Sequence, residues 1–505
     1  MIAQAPTRRE DAAHAARSGL SQVLAMFGQG LLPIHRILVS RLFGQTAYGI
    51  YRAGADLCDV AINAGLAGAD KGLLRYVAGH RAAGEKEEES RALGTGLRLA
   101  GGFLFLLAIA LAVAAPFFAR IWGKSEFRFV LPVLAPTVFA GGGVLVLMAA
   151  TLAVKVTRIN LLVRGIGDPF LLLAATLIAY LVRPTVGGLA VAHLCSYVAL
   201  LGLAWVGANV VYGPGEIGRA LRARTSSGFI RFALPLGASG LMNGFLQRMN
   251  IFILSGYSGA ASVAVFAASE ELGRSIIGVR YAFDSIVTPM MSEAFFRRDR
   301  ERLRYNLALM TRWVASASAP IAVTLFVLRP RLLSLYGSGY ANGVTAMGLL
   351  IVGHLINGVM GLTPYVVVMS GRSSLFFWDN LGAAALNLVL SLWLIPRHGV
   401  TGAAVASLCS VAGLQGVLAL QAYWLERVHA FEWPLLKPFL AAGAAFGVER
   451  AVGRLPLPAA AQIAATIVAG AVGYAAVLLA LRPGEEERRF LLGLWARLSR
   501  RGRAP

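Results

Sequence analysis

Hydrophobic and polar positions divide this chain into long apolar runs separated by short, mostly basic segments. Stretches without Asp, Glu, Lys or Arg run from Leu99 to Ala119, Phe129 to Val154, Thr185 to Tyr212, Trp313 to Leu328, Ala341 to Gly371, Gly399 to Leu425 and Leu455 to Leu481. About 20 apolar residues of helix cross the hydrocarbon core of a bilayer, and several stretches reach that length. The apolar residues do not alternate with a period of two, so a transmembrane β-barrel fits badly. The pattern predicts an all-α integral membrane protein with about fourteen transmembrane helices. Their expected limits are 19–40, 47–70, 94–119, 127–152, 166–182, 186–212, 229–254, 260–291, 309–328, 341–370, 375–395, 400–424, 434–451 and 458–481. The first, second, seventh and eighth are the least hydrophobic.

Composition agrees, since 57% of the 505 residues are hydrophobic and 14% charged, against roughly 25% charged in soluble domains. The formal net charge of +22 raises nucleic-acid binding, but the positions of the charges argue against it. With the N-terminus inside, about 31 of the 47 Lys and Arg residues fall on the cytoplasmic side. They lie in the N-terminal arm, the loop from Lys71 to Arg98, the loop Lys155 to Arg164, the segment Arg219 to Arg224, the run Arg297 to Arg312, Arg372, Arg427, Lys437 and the tail from Arg482. That is the positive-inside rule, with attraction to anionic lipid. It implies cytoplasmic N- and C-termini and no nucleic-acid partner. The tail from Gly484 places Phe490, Leu491, Leu494, Trp495 and Leu498 on one helical face among arginines, the pattern of an interfacial amphipathic helix. Cys58, Cys195 and Cys409 lie far apart and read as buried small hydrophobes. The N-terminal residues do not form a convincing signal peptide. The histidines at 14, 35, 80, 193, 354, 398 and 429 have no ligand spacing, and there is no P-loop. The sequence therefore offers no metal site, no bound cofactor and no enzyme constellation.

Polar and charged residues inside the spans are unevenly placed. Charge at mid-bilayer costs at least about 2.5 kcal/mol per residue and marks function. Helix one has Gln22, Gln29 and Arg36 on one face; helix two has Arg52, Asp56, Asp59 and Asn63. Helix seven has Asn243, Gln247, Arg248 and Asn250, and helix eight has Glu270, Glu271, Arg274, Arg280 and Asp284. A weak internal repeat, Tyr48–Leu57 against Val263–Leu272, makes helices one and two equivalent to seven and eight. Six helices separate the copies, so both halves share one orientation, related by an axis along the membrane normal with a substrate site between them. This predicts two pseudo-symmetric bundles, 1–212 and 213–428, followed by two helices in 429–482 and a basic tail, 483–505. The candidate substrate-binding residues are Arg36, Arg52, Arg248, Arg274, Arg280, Gln29, Asn243 and Gln247, because a guanidinium fork suits a phosphate. Asp56, Asp59, Glu270, Glu271 and Asp284 are candidates for ion coupling or for ion pairs along one helix, as in Arg52 with Asp56, Glu270 with Arg274 and Arg280 with Asp284. Asp379, Asn380 and Asn387 of helix eleven are expected to satisfy neighbouring helices.

The stretch Arg41-Leu-Phe-Gly-Gln-Thr-Ala-Tyr-Gly-Ile-Tyr51, followed by Gly65-Leu66 and Leu74-Arg75-Tyr76, resembles the opening of polysaccharide biosynthesis export proteins. Phe229-Ile-Arg-Phe-Ala-Leu-Pro-Leu236, Tyr340-Ala-Asn-Gly343, Ser370-Gly-Arg372 and Leu394-Ile-Pro-Arg-His-Gly-Val-Thr-Gly-Ala-Ala-Val-Ala-Ser407 continue the resemblance over about residues 20–430. Where many relatives have an Asp-Arg pair in helix seven, this chain has Gln247-Arg248, so the arginine carries over and the acid does not. The resemblance implies a MATE-like fold of the multidrug, oligosaccharidyl-lipid and polysaccharide exporter superfamily. It implies a Wzx-type flippase in the bacterial inner membrane that moves an undecaprenyl-diphosphate-linked oligosaccharide, for O-antigen, capsule or exopolysaccharide, to the periplasmic leaflet. Its partners would be that lipid-linked oligosaccharide, membrane lipids, a polysaccharide polymerase and glycosyltransferases, and a proton or sodium gradient would drive it. Three other readings compete. A MATE-type multidrug exporter of organic cations would favour an acidic cavity. A lipid II flippase of the same superfamily would also suit a cationic one. A non-transporting scaffold of a glycan assembly complex would tolerate loss of the cavity charges.

Overall fold

In the computed structural model the described residues are 31–297, 299–370, 372–456 and 458–481; within them a few side chains, among them those of Asn243 and Asp284, are also not described. The described regular structure is helical, with no strand. Nine of its helices are long and apolar enough to cross a membrane. Residues such as Phe105, Leu106, Val113, Ile178, Leu181 and Val182 stay largely exposed. An exposed apolar band of this extent is what a helix presents to lipid, and the chain is a multi-pass membrane protein. The chain divides into two compact units, Met1–Ala268 with Leu335–Gly339 and Ile395–Val400, and Ser269–Ser334 with Tyr340–Leu394 and Thr401–Pro505.

In the first unit, α1 covers 31–43. It is followed by α2 (Gln45–Gly65), α3 (Ala69–Ala83), α4 (Lys86–Val113), α5 (Ala115–Ile121), α6 (Phe127–Leu134), α7 (Pro136–Ala153), α8 (Thr157–Asn160), α9 (Asp168–Val182), α10 (Val186–Tyr212), α11 (Glu216–Arg222) and α12 (Ser227–Tyr257). A π-helical turn, Leu161–Gly167, joins α8 to α9. Thr185 starts α10 by accepting the Gly188 N–H at 3.1 Å, and Ser226 starts α12 by accepting that of Phe229 at 3.4 Å. Such caps satisfy N–H groups that a helix start leaves open. The innermost helix is α7, which meets α2, α3, α4 and α10. Its small residues allow this: Leu104 of α4 lies against Gly142. The segment 335–339 belongs here because Ser40 Oγ donates to the Tyr336 carbonyl at 2.9 Å and Arg41 Nε to that of Leu335 at 2.7 Å.

The second unit contains most of α13 (Gly259–Phe296), with α14 (Arg300–Ser334), α15 (Val344–Met360), α16 (Thr363–Met369), α17 (Ser373–Glu426), α18 (Leu436–Val452) and α19 (Ala459–Ala480). What reads as α17 is two helices meeting at Gly399, whose φ of 51° and ψ of −126° are not helical. The expected boundary between helices eleven and twelve falls at this kink. Its core packs Val287, Met291, Leu303, Leu307, Met310, Val314, Leu362 and Val366 together. A second contact joins α18 and α19 to α14 through Ala319, Ala441, Ala445 and Tyr474, whose hydroxyl donates to the Ser316 carbonyl at 2.9 Å.

Three expectations change. The basic loop placed at Lys71–Arg98 is mostly helical, formed by α3, a turn at Gly84 and the first three turns of α4. Arg91 pairs with Glu87 and Glu88, both at 2.6 Å, so the charges that suggested a loop instead support a helix one turn apart. Helix nine begins at Arg300 rather than 309, extending its polar end beyond the apolar run, with Asp299 accepting the Arg302 N–H at 2.9 Å at its start. Cys195 and Cys409 are exposed rather than buried; a small apolar side chain facing lipid meets no penalty there. The N-terminal arm and the basic tail lie outside the described residues.

One close approach sets the register of α12 on α3. Gly68 has φ +73°, and a Cβ there would lie 2.1 Å from the Ala233 carbonyl oxygen. A Cβ on Gly237 would meet the backbone of Ala67 at 2.4 Å. Gly68→Val is therefore expected to destabilise by about 2 kcal/mol or more, from overpacking and a strained φ. Gly79→Val, where a Cβ meets nothing within 4 Å, is the control. Equal thermal unfolding of the two variants in detergent would show that the approach is not a constraint.

Candidate functional site

The first unit gathers charge from three helices. On α2, Arg52 and Asp56 are four residues apart and share one face. Arg52 Nε donates to Asp56 Oδ2 at 3.0 Å and Nη2 to Oδ1 at 2.8 Å, a bidentate pair. Arg248 of α12 reaches the same carboxylate, with Nε 3.1 Å from Asp56 Oδ1, and its Nη2 lies 2.8 Å from Asp59 Oδ2. Asp56 is 0% exposed, whereas the Asp59 side chain is 40% exposed. One end of the network is thus sealed and the other opens outward. Asn63, one turn beyond Asp59, donates to the Asp59 carbonyl at 2.8 Å. Arg36 of α1 adds a third guanidinium, with Arg52, Tyr48, Tyr336 and Asp56 as its electrostatic neighbours. Three arginines against two aspartates leave one positive charge in excess.

The second unit holds a smaller group. Arg274 Nη2 lies 3.3 Å from Glu270 Oε1, the expected pair at four residues, and His354 Nε2 of α15 lies 3.3 Å from Glu270 Oε2. Arg280 donates from Nη1 to the Gly361 carbonyl at 3.2 Å and sits over the Tyr281 ring, 4.7 Å from its centroid. The pair expected between Arg280 and Asp284 involves a side chain outside the described residues, as do Gln29 and the side chain of Asn243. Gln247 is exposed on α12 and Glu271 is half-buried on α13. Of the three residues expected to satisfy neighbouring helices, Asp379 accepts from Gln421 at 2.9 Å beyond the Gly399 kink, whereas Asn387 accepts from Ser391 at 3.1 Å and Asn380 donates to the Phe376 carbonyl at 2.6 Å within their own helix.

The acid missing from helix seven is therefore supplied from α2. An arginine next to Gln247 has no acid on its own turn, and Asp56 and Asp59 take that place across 192 and 189 residues. Sequence reading missed the histidines. His35 bonds to Thr176 at 2.9 Å and His193 to Tyr51 at 2.8 Å, across 141 and 142 residues. The available signal was His193 itself, an ionisable residue in the otherwise uncharged helix six, which is a functional mark in a membrane span.

Removing one partner of a buried pair strands the other charge, at about 3–5 kcal/mol. Asp56→Asn is expected to cost an amount of that order, because it leaves Arg52 and Arg248 competing for Asp59. Asp59→Asn should cost distinctly less, since its site is open and Arg248 keeps Asp56. Thermal unfolding of the two variants in the same detergent compares them; an equal loss would mean that Asp56 is not the bridge.

Comparison with known proteins places this geometry in a family. A family profile described as polysaccharide biosynthesis protein matches residues 87–345. The chain is 25% identical over 408 residues to the lipid III flippase of Escherichia coli K12, covering 76% of this chain and 92% of that protein. It is 24% identical over 267 residues to the teichuronic acid biosynthesis protein TuaB of Bacillus subtilis 168 and spans about half of its length, 54%, using 50% of this chain. Among solved structures, the lipid II flippase MurJ in an inward closed conformation superposes with a TM-score of 0.69 at 14% identity, over 91% of this chain and 97% of that one. An inward-facing MATE family multidrug transporter of the MOP superfamily gives 0.64 at 16% identity, over 78% and 96%. The fold is thus the MATE-like fold of those transporters. With the profile covering half of its length, the chain belongs to the polysaccharide biosynthesis protein family.

Proposed function

We propose that this chain is a flippase that carries a lipid-linked oligosaccharide across a bacterial inner membrane, with both termini in the cytoplasm. The observation that carries the reading is the Arg36, Arg52, Asp56, Asp59, Arg248 network, where arginines outnumber acids and one end is open. An excess guanidinium favours an anionic headgroup such as a diphosphate and disfavours an organic cation. A lipid III flippase and a teichuronic acid biosynthesis protein among its relatives support a glycan cargo. Within this reading the repeat divides the chain into bundles 1–212 and 213–428, with 429–482 and 483–505 as additions. Within the second unit Arg274 and Arg280 offer the same guanidinium chemistry to an anion, a glycan polymerase and glycosyltransferases act beside the protein, and its work is transport rather than catalysis.

Arg248 is the residue on which the mechanism depends most. Held by two aspartates, it is preorganised, and it binds cargo by exchanging one carboxylate for a phosphate oxygen of similar geometry. Lysine keeps the charge but loses the fork. In a strain lacking its own flippase, Arg248→Lys is expected to restore surface glycan partially and Arg248→Ala to reduce it by about tenfold or more, the effect of about 1.4 kcal/mol, at equal membrane levels. Full display by Arg248→Ala would remove this residue from the mechanism.

Orientation has its own test. Single cysteines near positions 85, 220 and 300 are expected to be shielded from an impermeant thiol reagent in intact cells. Those near 124, 257 and 398 are expected to react. Labelling at 300 from outside would overturn the orientation.

A further inference from the structure

Beneath the loop that follows α17, the second unit holds a cavity of about 410 Å³. Its walls are apolar, formed by Leu307 of α14, Val359 of α15, Gly416, Ala419 and Leu420 of α17, and Phe431. Ligand pockets are typically of that size and apolar, with a few placed polar groups. Here the polar groups are Thr311 Oγ1 and His429 Nδ1, both in the wall, buried and with no hydrogen-bond partner among the described residues. Thr311 is 1% exposed, and a buried hydroxyl without a partner is costly. Leu420, Tyr423 and Phe431 are exposed, so the cavity opens on the surface of the unit. Trp424 and Trp433 are exposed beside it, and Trp and Tyr gather at the level of lipid headgroups. Two ion pairs flank the covering loop, Arg300 with Glu426 at 3.5 Å and Arg304 with Glu432 at 3.6 Å. Arg427 has no carboxylate partner among the described residues and stands over the Tyr423 ring, 5.4 Å from its centroid. Its backbone is left-handed, with φ 57° and ψ 32°, at a helix end that suits glycine. Strain of this kind collects where a side chain is placed for binding.

We infer that this cavity binds one acyl chain of an anionic phospholipid from the adjoining leaflet, with the lipid phosphate on Arg427. The site lies wholly within the second unit, apart from the Arg52, Asp56 and Arg248 network, and goes beyond the flippase reading. The apolar walls take the chain. Thr311 donates its hydroxyl proton to an ester oxygen of the lipid, and His429 does the same from Nδ1 in the tautomer that carries its proton there. The Arg427 guanidinium offers its fork to two phosphate oxygens. A polyprenyl tail has no ester carbonyl, so it would leave both buried polar atoms unpaired. A zwitterionic phospholipid has the esters but not the net charge.

The test uses the full chain in nanodiscs. The probes are phosphatidylglycerol and phosphatidylethanolamine, each with a photoreactive diazirine on one acyl chain, and mass spectrometry maps the adducts. Phosphatidylglycerol is expected to label the peptides that carry Leu307, Val359 and residues 416–431 about fivefold more than phosphatidylethanolamine, the contribution of one arginine near an anionic lipid. Arg427→Gly suits the left-handed backbone. It should keep the unfolding temperature of the wild type while lowering the phosphatidylglycerol label to the phosphatidylethanolamine level. A Cβ on Gly416 meets nothing within 4 Å, so Gly416→Leu fills the cavity and should remove both labels from these peptides. If Gly416→Leu unfolds early, Arg427→Gly decides alone. Equal labelling by the two lipids, or labelling unchanged in Arg427→Gly, would overturn the proposal. So would displacement of the label by equimolar undecaprenyl phosphate, which would assign the cavity to a polyprenyl tail. Phosphatidylglycerol labelling that persists against that competitor supports the site, whether or not the chain moves a glycan.

Discussion

Asp56 is a carboxylate with no exposure to water, held between Arg52 of its own helix and Arg248 of α12. A single ion at that depth would be intolerable; two guanidinium groups around one carboxylate, with Asp59 taking up the far side of Arg248, make it tolerable. Arg52, Arg248 and Asp59 are arranged around this bridge. It fixes α2 against α12, and the contact of Gly68 with Ala233 and of Gly237 with Ala67 lets the neighbouring backbones come close enough for the bridge to form. Charge and glycine are in this sense one device, since a bulkier residue at either position would push the ions apart.

The same bridge keeps the Arg248 guanidinium paired within a membrane-protein bundle. The guanidinium of Arg248 is paired at rest, so it costs the protein less than a lone buried charge would. Its two partners are unequal, one sealed and one open, and only the open one is easily given up. The second unit uses a looser version, in which Glu270 faces both Arg274 and His354 at 3.3 Å. In both units one carboxylate is shared between two partners, Arg52 and Arg248 on Asp56, and Arg274 and His354 on Glu270.

The membrane character of the chain and its longest apolar helices were legible because lipid demands long unbroken apolar runs. The kink at Gly399 was legible as the Gly that ends Leu394-Ile-Pro-Arg-His-Gly399. The ion pairs at four-residue spacing were legible because helical periodicity fixes them locally. The partners of Arg248, by contrast, come from a helix nearly two hundred residues earlier, and no local rule selects Asp56 and Asp59 over Glu270 or Asp284. The histidines were passed over for a related reason: metal-ligand spacing is a local pattern, whereas His35 finds Thr176 and His193 finds Tyr51 only through the packing of α1 on α9 and of α2 on α10. Charge-dense ends were misjudged in the other direction, since Glu87, Glu88 and Arg91 look like loop residues until their helical pairing is counted.

The length of α14 has a mechanical consequence. Its 35 residues rise about 52 Å at 1.5 Å each, against about 30 Å of hydrocarbon. Tilt absorbs only part of such a mismatch, so the polar first turns stand clear of the acyl chains as a stalk. Pro320 and Pro330 interrupt its far half, and the roughly 30 Å from Arg300 to Pro320, tilted by about 10°, displaces its end by about 5 Å. At that end, Arg300 lies 3.5 Å from Glu426, Arg302 3.5 Å from Glu293 and Arg304 3.6 Å from Glu432. These three contacts are guy-lines on the long arm of a lever, where weak, salt-screened pairs have the greatest leverage over how far the buried arm swings.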